Sequence, residues 1–163
     1  MFKILALATL FVSGAASATT TNWGVHATAQ LGAGFAIGAN TQIDDTYSFA
    51  LASLSDLSAV AVADDGVNGL VAIAHEQVSL YAVGNATPLA TFSFGASATS
   101  YDFGDLAAGS YYYEVKAAVA PTAAAGSYLL TSTLAAPVPE PGSAALFAAG
   151  VAAIGLIGRR RRA

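Results

Sequence analysis

Between Trp23 and Leu134, apolar and polar side chains alternate at period two, and no window holds a 3.6-residue period over three turns. Period two is the mark of a strand with one face in a core and the other in solvent. The alternating runs are short, and Gly, Asp, Asn and Ser separate them, residues that turn the chain through local hydrogen bonds or unusual backbone angles. Residues 23–30 read as a first strand, and Gly32, Gly34 and Gly38 as a turn-rich connection after it. In 46–53, Tyr47, Phe49 and Leu51 share a face. Val60 and Val62 lead into the turn residues Asp64, Asp65, Gly66, Asn68 and Gly69. Residues 70–74 and 77–83 read as two strands or one bent strand. Residues 89–94, 101–106, 111–119 and 128–134 follow, with 111–119 the most aromatic. Pro121 and Gly126 interrupt the one alanine-rich patch that would otherwise suggest a helix. Eight or nine such strands predict an all-β fold, a jelly-roll-like antiparallel β-sandwich.

The two ends follow other rules. Lys3, the apolar run 4–12 and Ala16-Ser17-Ala18 have the charge, length and small-residue order of a secretory signal peptide, 1–18, with cleavage expected after Ala18. At the other end, 137–163 opens with Val138-Pro139-Glu140-Pro141, where each proline fixes its own φ and keeps the preceding residue out of helix. Residues 142–158 are uncharged and apolar, and Arg159, Arg160, Arg161 and Arg162 follow. Such a segment predicts a single transmembrane helix of about 25 Å against a hydrocarbon core of ~30 Å. The arginines act as its stop-transfer signal and hold that end on the cytoplasmic side. Residues 19–136 then form the exported domain, enough chain for one modest core.

Charge is partitioned in the same way. The formal net charge is −4, but five of the six basic residues lie in the end segments and only Lys116 lies in the body. Nine of the ten acids fall between Asp44 and Glu114 and the tenth is Glu140 in the tail, so residues 19–136 carry 1 − 9 = −8. A body this acidic repels nucleic acid and anionic membrane, and tolerates divalent cations or neutral polysaccharide. With no cysteine, the chain has no thiolate chemistry and no disulfide to reinforce an exported fold.

The Pro139-Glu140-Pro141 motif, the short apolar segment and the terminal arginine cluster together resemble the PEP-CTERM sorting signal of Gram-negative bacteria. The resemblance implies transient membrane anchoring and recognition of Pro139, Glu140 and Pro141 by an exosortase. It further implies delivery to the cell surface or an extracellular polysaccharide matrix. Two weaker likenesses concern the body. Residues 45–51, 106–115 and 126–130 resemble bacterial pre-peptidase C-terminal domains, small sandwiches some of which bind calcium or polysaccharide. Ile43-Asp44-Asp45-Thr46-Tyr47 is similar to the Phe-x-Asp-x-Phe motif of one PEP-CTERM group, with Ile43 and Tyr47 in place of its phenylalanines.

Little in the body points to catalysis. His26 and His75 lie outside any metal-protease motif, alternation puts His75 and Glu76 on opposite faces, and Ser79, Ser93 and Ser110 are in no nucleophile elbow. Asp64, Asp65 and Asn68 space oxygen donors as a Ca²⁺ loop does, yet lack the later glutamate of an EF-hand, and ordinary turn chemistry explains them equally well. Tyr81, Tyr101, Tyr111, Tyr112 and Tyr113 offer a sugar-stacking face, although about half of them must fill the core. The expectation, which rests on the address signals, is an exported, non-enzymatic surface or matrix protein, with a calcium- or carbohydrate-binding module as the alternative.

Overall fold

The computed structural model describes residues 16–135, so most of the signal peptide and the whole 137–163 tail lie outside the described residues. Nine strands run in chain order: β1 (Thr20–Val25), β2 (Ala29–Ile37), β3 (Gln42–Leu51), β4 (Ser55–Ala63), β5 (Ile73–Ala82), β6 (Ala90–Ser93), β7 (Thr99–Leu106), β8 (Gly109–Val119) and β9 (Ala125–Ala135). They form a five-stranded sheet in the order β1-β3-β8-β5-β6 and a four-stranded sheet in the order β2-β9-β4-β7. The fold is the expected all-β sandwich. One pairing departs from the antiparallel expectation: β1 runs parallel to β3 at the edge of its sheet.

Strand parity sets the core. On β3, Ile43, Asp45, Tyr47, Phe49 and Leu51 face inward, and on β8 Tyr111, Tyr113, Val115, Ala117 and Val119 do the same. The opposing β4 presents Leu57, Ala59, Ala61 and Ala63. Large rings of the five-stranded sheet thus face the small side chains of β4, a large-to-small match that close packing favours. Tyr113 is fully buried, with Phe49 at 5.2 Å and Phe103 at 6.0 Å between ring centroids.

Two local expectations are corrected, and one left open between two alternatives is resolved. Gly32 and Gly34 do not form a connection; they lie in the middle of β2, paired with Leu130 and Tyr128 of β9. A Cβ on Gly32 would come within 2.6 Å of the Tyr47 ring, and one on Gly34 would overlap Tyr128 and the Asp45 carboxylate. Glycine is required there by close approach rather than by a turn. The single strand expected over 23–30 is split: β1 ends at Val25, and the chain crosses between sheets at His26, whose N–H donates to Ala50 O at 2.9 Å. Finally, 70–74 and 77–83 give one strand, β5, with an irregularity between Ala74 and Gln77 where His75 takes φ +59°. That bulge takes His75 and Glu76 out of simple alternation.

Candidate functional sites: a buried carboxylate, a buried histidine and a polar sheet face

Asp45 is 1% exposed, although its neighbour Asp44 is exposed on the other face of β3. Burial of a carboxylate is costly unless donors surround it. Three do so here. Thr19 donates its backbone N–H to Asp45 Oδ1 at 2.8 Å and its hydroxyl to the same oxygen at 2.5 Å. Tyr128 donates its phenol to Oδ2 at 2.6 Å, and Tyr47 in turn donates to the Tyr128 oxygen at 2.8 Å. Burial raises the pKa of Tyr128, and its bond to the Asp45 carboxylate raises it further. The Tyr47 pKa is also raised, chiefly by burial. No cation shares the cluster: the only salt bridge among the described residues joins Lys116 Nζ to Glu114 Oε1 at 2.7 Å, on the outer face.

The two histidines stand in different settings. His75 is exposed in the β5 bulge, whereas His26 is buried. His26 Nδ1 lies 2.5 Å from Ala27 O, and a carbonyl only accepts, so Nδ1 carries the proton. Nε2 then accepts from the Ser132 hydroxyl at 2.9 Å, and Ser132 accepts from Tyr113 at 3.0 Å. Desolvation lowers the His26 pKa, partly opposed by the bond to Ala27. Sequence reasoning missed Ser132 because it stands 106 positions from His26. A serine against a histidine is the start of a nucleophilic pair, but Ser132 has no exposed surface through which a substrate would arrive.

The proposed calcium loop lies at the end of β4. Asp64 and Asp65 are exposed, Asp64 Oδ2 accepts from Ser127 Oγ at 3.3 Å, and Asn68 takes φ +67° in the turn Val67–Gly69. Among the described residues no group of three or more His, Asp or Glu side chains is close enough to hold an ion. Beside Asp64 a groove of about 570 Å³ opens over Phe35, Val62 and Leu129. It belongs to an outer face of the four-stranded sheet on which Leu31, Phe35, Ile37 and Leu129 are exposed.

The outer face of the five-stranded sheet has the opposite character. Cross-strand rows place Ser48, Tyr112 and Tyr81 together, then Thr46, Glu114 and Ser79, then Asp44, Lys116 and Gln77. Tyr81 and Tyr112 stack at 4.9 Å with 5° between ring planes, and the Tyr81 hydroxyl donates to Glu114 Oε2 at 3.3 Å. The bond to Glu114 is the main reason the Lys116 pKa is raised. Tyr111 and Tyr113, one residue to either side of Tyr112, are core residues.

Comparison with known proteins places the tail. Residues 137–162 match the model of the PEP-CTERM protein-sorting motif. The chain carries an exosortase sorting signal. Within the PEP-CTERM match lie Pro139-Glu140-Pro141 and Arg159 to Arg162, all outside the described residues. The motif marks the protein for export and for processing by an exosortase at the membrane. No helix among the described residues is long and apolar enough to cross a membrane, and 142–158 is not among them. No curated protein matches the chain. Similar solved structures include the pre-peptidase C-terminal domain of a collagenase from Bacillus anthracis, at 17% identity over 70% of this chain and 94% of that one, with a TM-score of 0.49. PliG, a periplasmic inhibitor of g-type lysozyme from Aeromonas hydrophila, is 13% identical over 73% and 100% of the two chains, with a TM-score of 0.40.

Proposed function

We propose that this chain is a non-enzymatic structural or adhesive protein of the cell surface or extracellular matrix, associated with exopolysaccharide. The PEP-CTERM motif at 137–162 is the observation that carries the reading. The body is consistent with it: the Ser–His contact is sealed inside the core, and the acidic, polar outer sheet face suits a hydrated matrix of neutral sugar better than a nucleic acid. The test is mass spectrometry of the C-terminus of protein recovered from cell surface and medium. A chain ending near Pro139 to Gly142 supports sorting and release. A chain still carrying Arg159 to Arg162 overturns it in favour of a plain membrane anchor.

A second reading, a carbohydrate-binding module, is favoured by one observation, the outward Tyr81–Tyr112 stack beside Glu114. Sugar rings lay their C–H faces on aromatic side chains while neighbouring carboxylates and hydroxyls bond their hydroxyl groups. Titration with the producer's own exopolysaccharide, repeated on Tyr112→Ala, tests it; equal heats from both proteins would sink it.

A further inference from the structure

We propose that Asp45 is the receptor for the chain's own new N-terminus: cleavage after Ala18 turns the Thr19–Asp45 hydrogen bond into a buried ion pair that secures the exported sandwich. The inference rests on the signal-peptide reading of 1–18. Its structural ground is independent of that reading. Thr19 N lies 2.8 Å from Asp45 Oδ1, and this nitrogen is the atom that cleavage would free. The carboxylate is buried, accepts from three neutral donors and has no cationic partner among the described residues. Such a group gains most from a charge placed at hydrogen-bond distance, because the desolvation cost has already been met by the fold.

The step balances simply. One solvent water is consumed, the carbonyl carbon of Ala18 leaves as a carboxylate, and the Thr19 nitrogen becomes an ammonium; the catalyst is the membrane peptidase of the exporting cell. Thr19 does not need to move. Its carbonyl already accepts from Thr46 N–H at 2.8 Å, which holds the residue in register beside β3. What is lost lies upstream: Ser17 bonds the edge of β3 through its N–H to Gln42 O and its carbonyl to Asp44 N–H, at 2.7 and 2.9 Å. Gln42 and Asp44 are exposed, so water replaces those bonds. The Asp45 site is specific for position, since one added residue carries the charge about 3.5 Å away.

The experiment uses the full chain expressed in an exporting host, with the processed protein purified. Intact mass first identifies the N-terminus; a start anywhere other than Thr19 overturns the signal-peptide reading and the proposal with it. Given a Thr19 start, a variant with one alanine inserted between Ala18 and Thr19 is compared with the parent. The parent is expected to melt roughly 5 °C higher. Its α-amino group should also react with an amine-reactive ester at neutral pH about tenfold more slowly than that of the insertion variant, with exposed Lys116 as the internal reference. Asp45→Asn should erase the difference in melting point. Where that variant fails to fold, the labelling rates of the two Asp45 proteins decide alone. Equal melting points and equal labelling rates would overturn the proposal and leave Asp45 held by neutral donors.

Discussion

Asp45 and Tyr128 join the two sheets through a polar bond inside an otherwise apolar core: the phenol of β9 donates to the carboxylate of β3 over 2.6 Å. The contact is made possible by an absence, because Gly34 of β2 lies where a side chain would overlap both groups.

Tyr128→Phe keeps the ring and removes the donor. The buried carboxylate then loses one of its three partners, and a hydrogen bond to a charged group is worth about 1.5–3 kcal/mol. Urea unfolding at neutral pH should show a loss of that size. The alkaline limb adds a second readout. The folded-state pKa of Tyr128 is raised, so its contribution is complete below the unfolded value of about 10 and is lost as pH rises above it. Stability of the parent should therefore fall above pH ~10, and Tyr128→Phe should flatten that fall.

His26 predicts the opposite dependence. Its folded pKa is depressed by burial, so the unfolded chain binds a proton first as the solution is acidified. The His26 contribution is present above about pH 6.5 and is lost as pH falls through the folded pKa. Unfolding free energies measured down from pH 7.5 should decline in that window, and His26→Gln should lessen the decline while lowering stability at pH 7.5.

Gly34→Ala tests the close approach. Overlap with backbone-anchored side chains on two strands cannot be relieved by rotating one flexible end, and overpacking of this kind costs about 1–3 kcal/mol. Phe35→Ser, the next position along β2 with its side chain on the outer face at 57% exposure, should change the melting point little. Equal effects of the two substitutions would contradict the orientation of β2.

Tyr112→Ala removes half of an exposed aromatic pair. Loss of about 1 kcal/mol or less is expected from a cross-strand contact on a solvated face. Tyr113→Ala, one residue away and fully buried against Phe49 and Phe103, should cost about 3–5 kcal/mol. Thermal melts of the pair measure the sidedness of β8 directly.

Most of the strand structure was legible because alternation reports which face of a strand is buried. It separates Tyr111 and Tyr113 from Tyr112, and it aligns Tyr47, Phe49 and Leu51. It also contained a signal left unused: Asp45 shares parity with Tyr47 and Phe49, so it belongs to the core, whereas Asp44 faces out. Gly32 and Gly34 were misread because glycine is poor in strands unless something presses on it, and the pressing groups, Tyr47 and Tyr128, come from β3 and β9. The His26–Ser132–Tyr113 chain was not legible at all, since no local pattern encodes contact between residues that far apart. The Phe-x-Asp-x-Phe likeness at Ile43, Asp45 and Tyr47 coincides with three inward-facing residues, all at most 2% exposed.

The position of β9 has a consequence for timing. It is the last strand in the chain, yet it lies between β2 and β4 and pairs with both. The four-stranded sheet therefore has no interior until β9 arrives, and a chain threaded N-terminus first delivers it last. The sorting motif begins at residue 137, two positions beyond Ala135. In a chain delivered in that direction, the strand that completes the fold and the sorting signal emerge together.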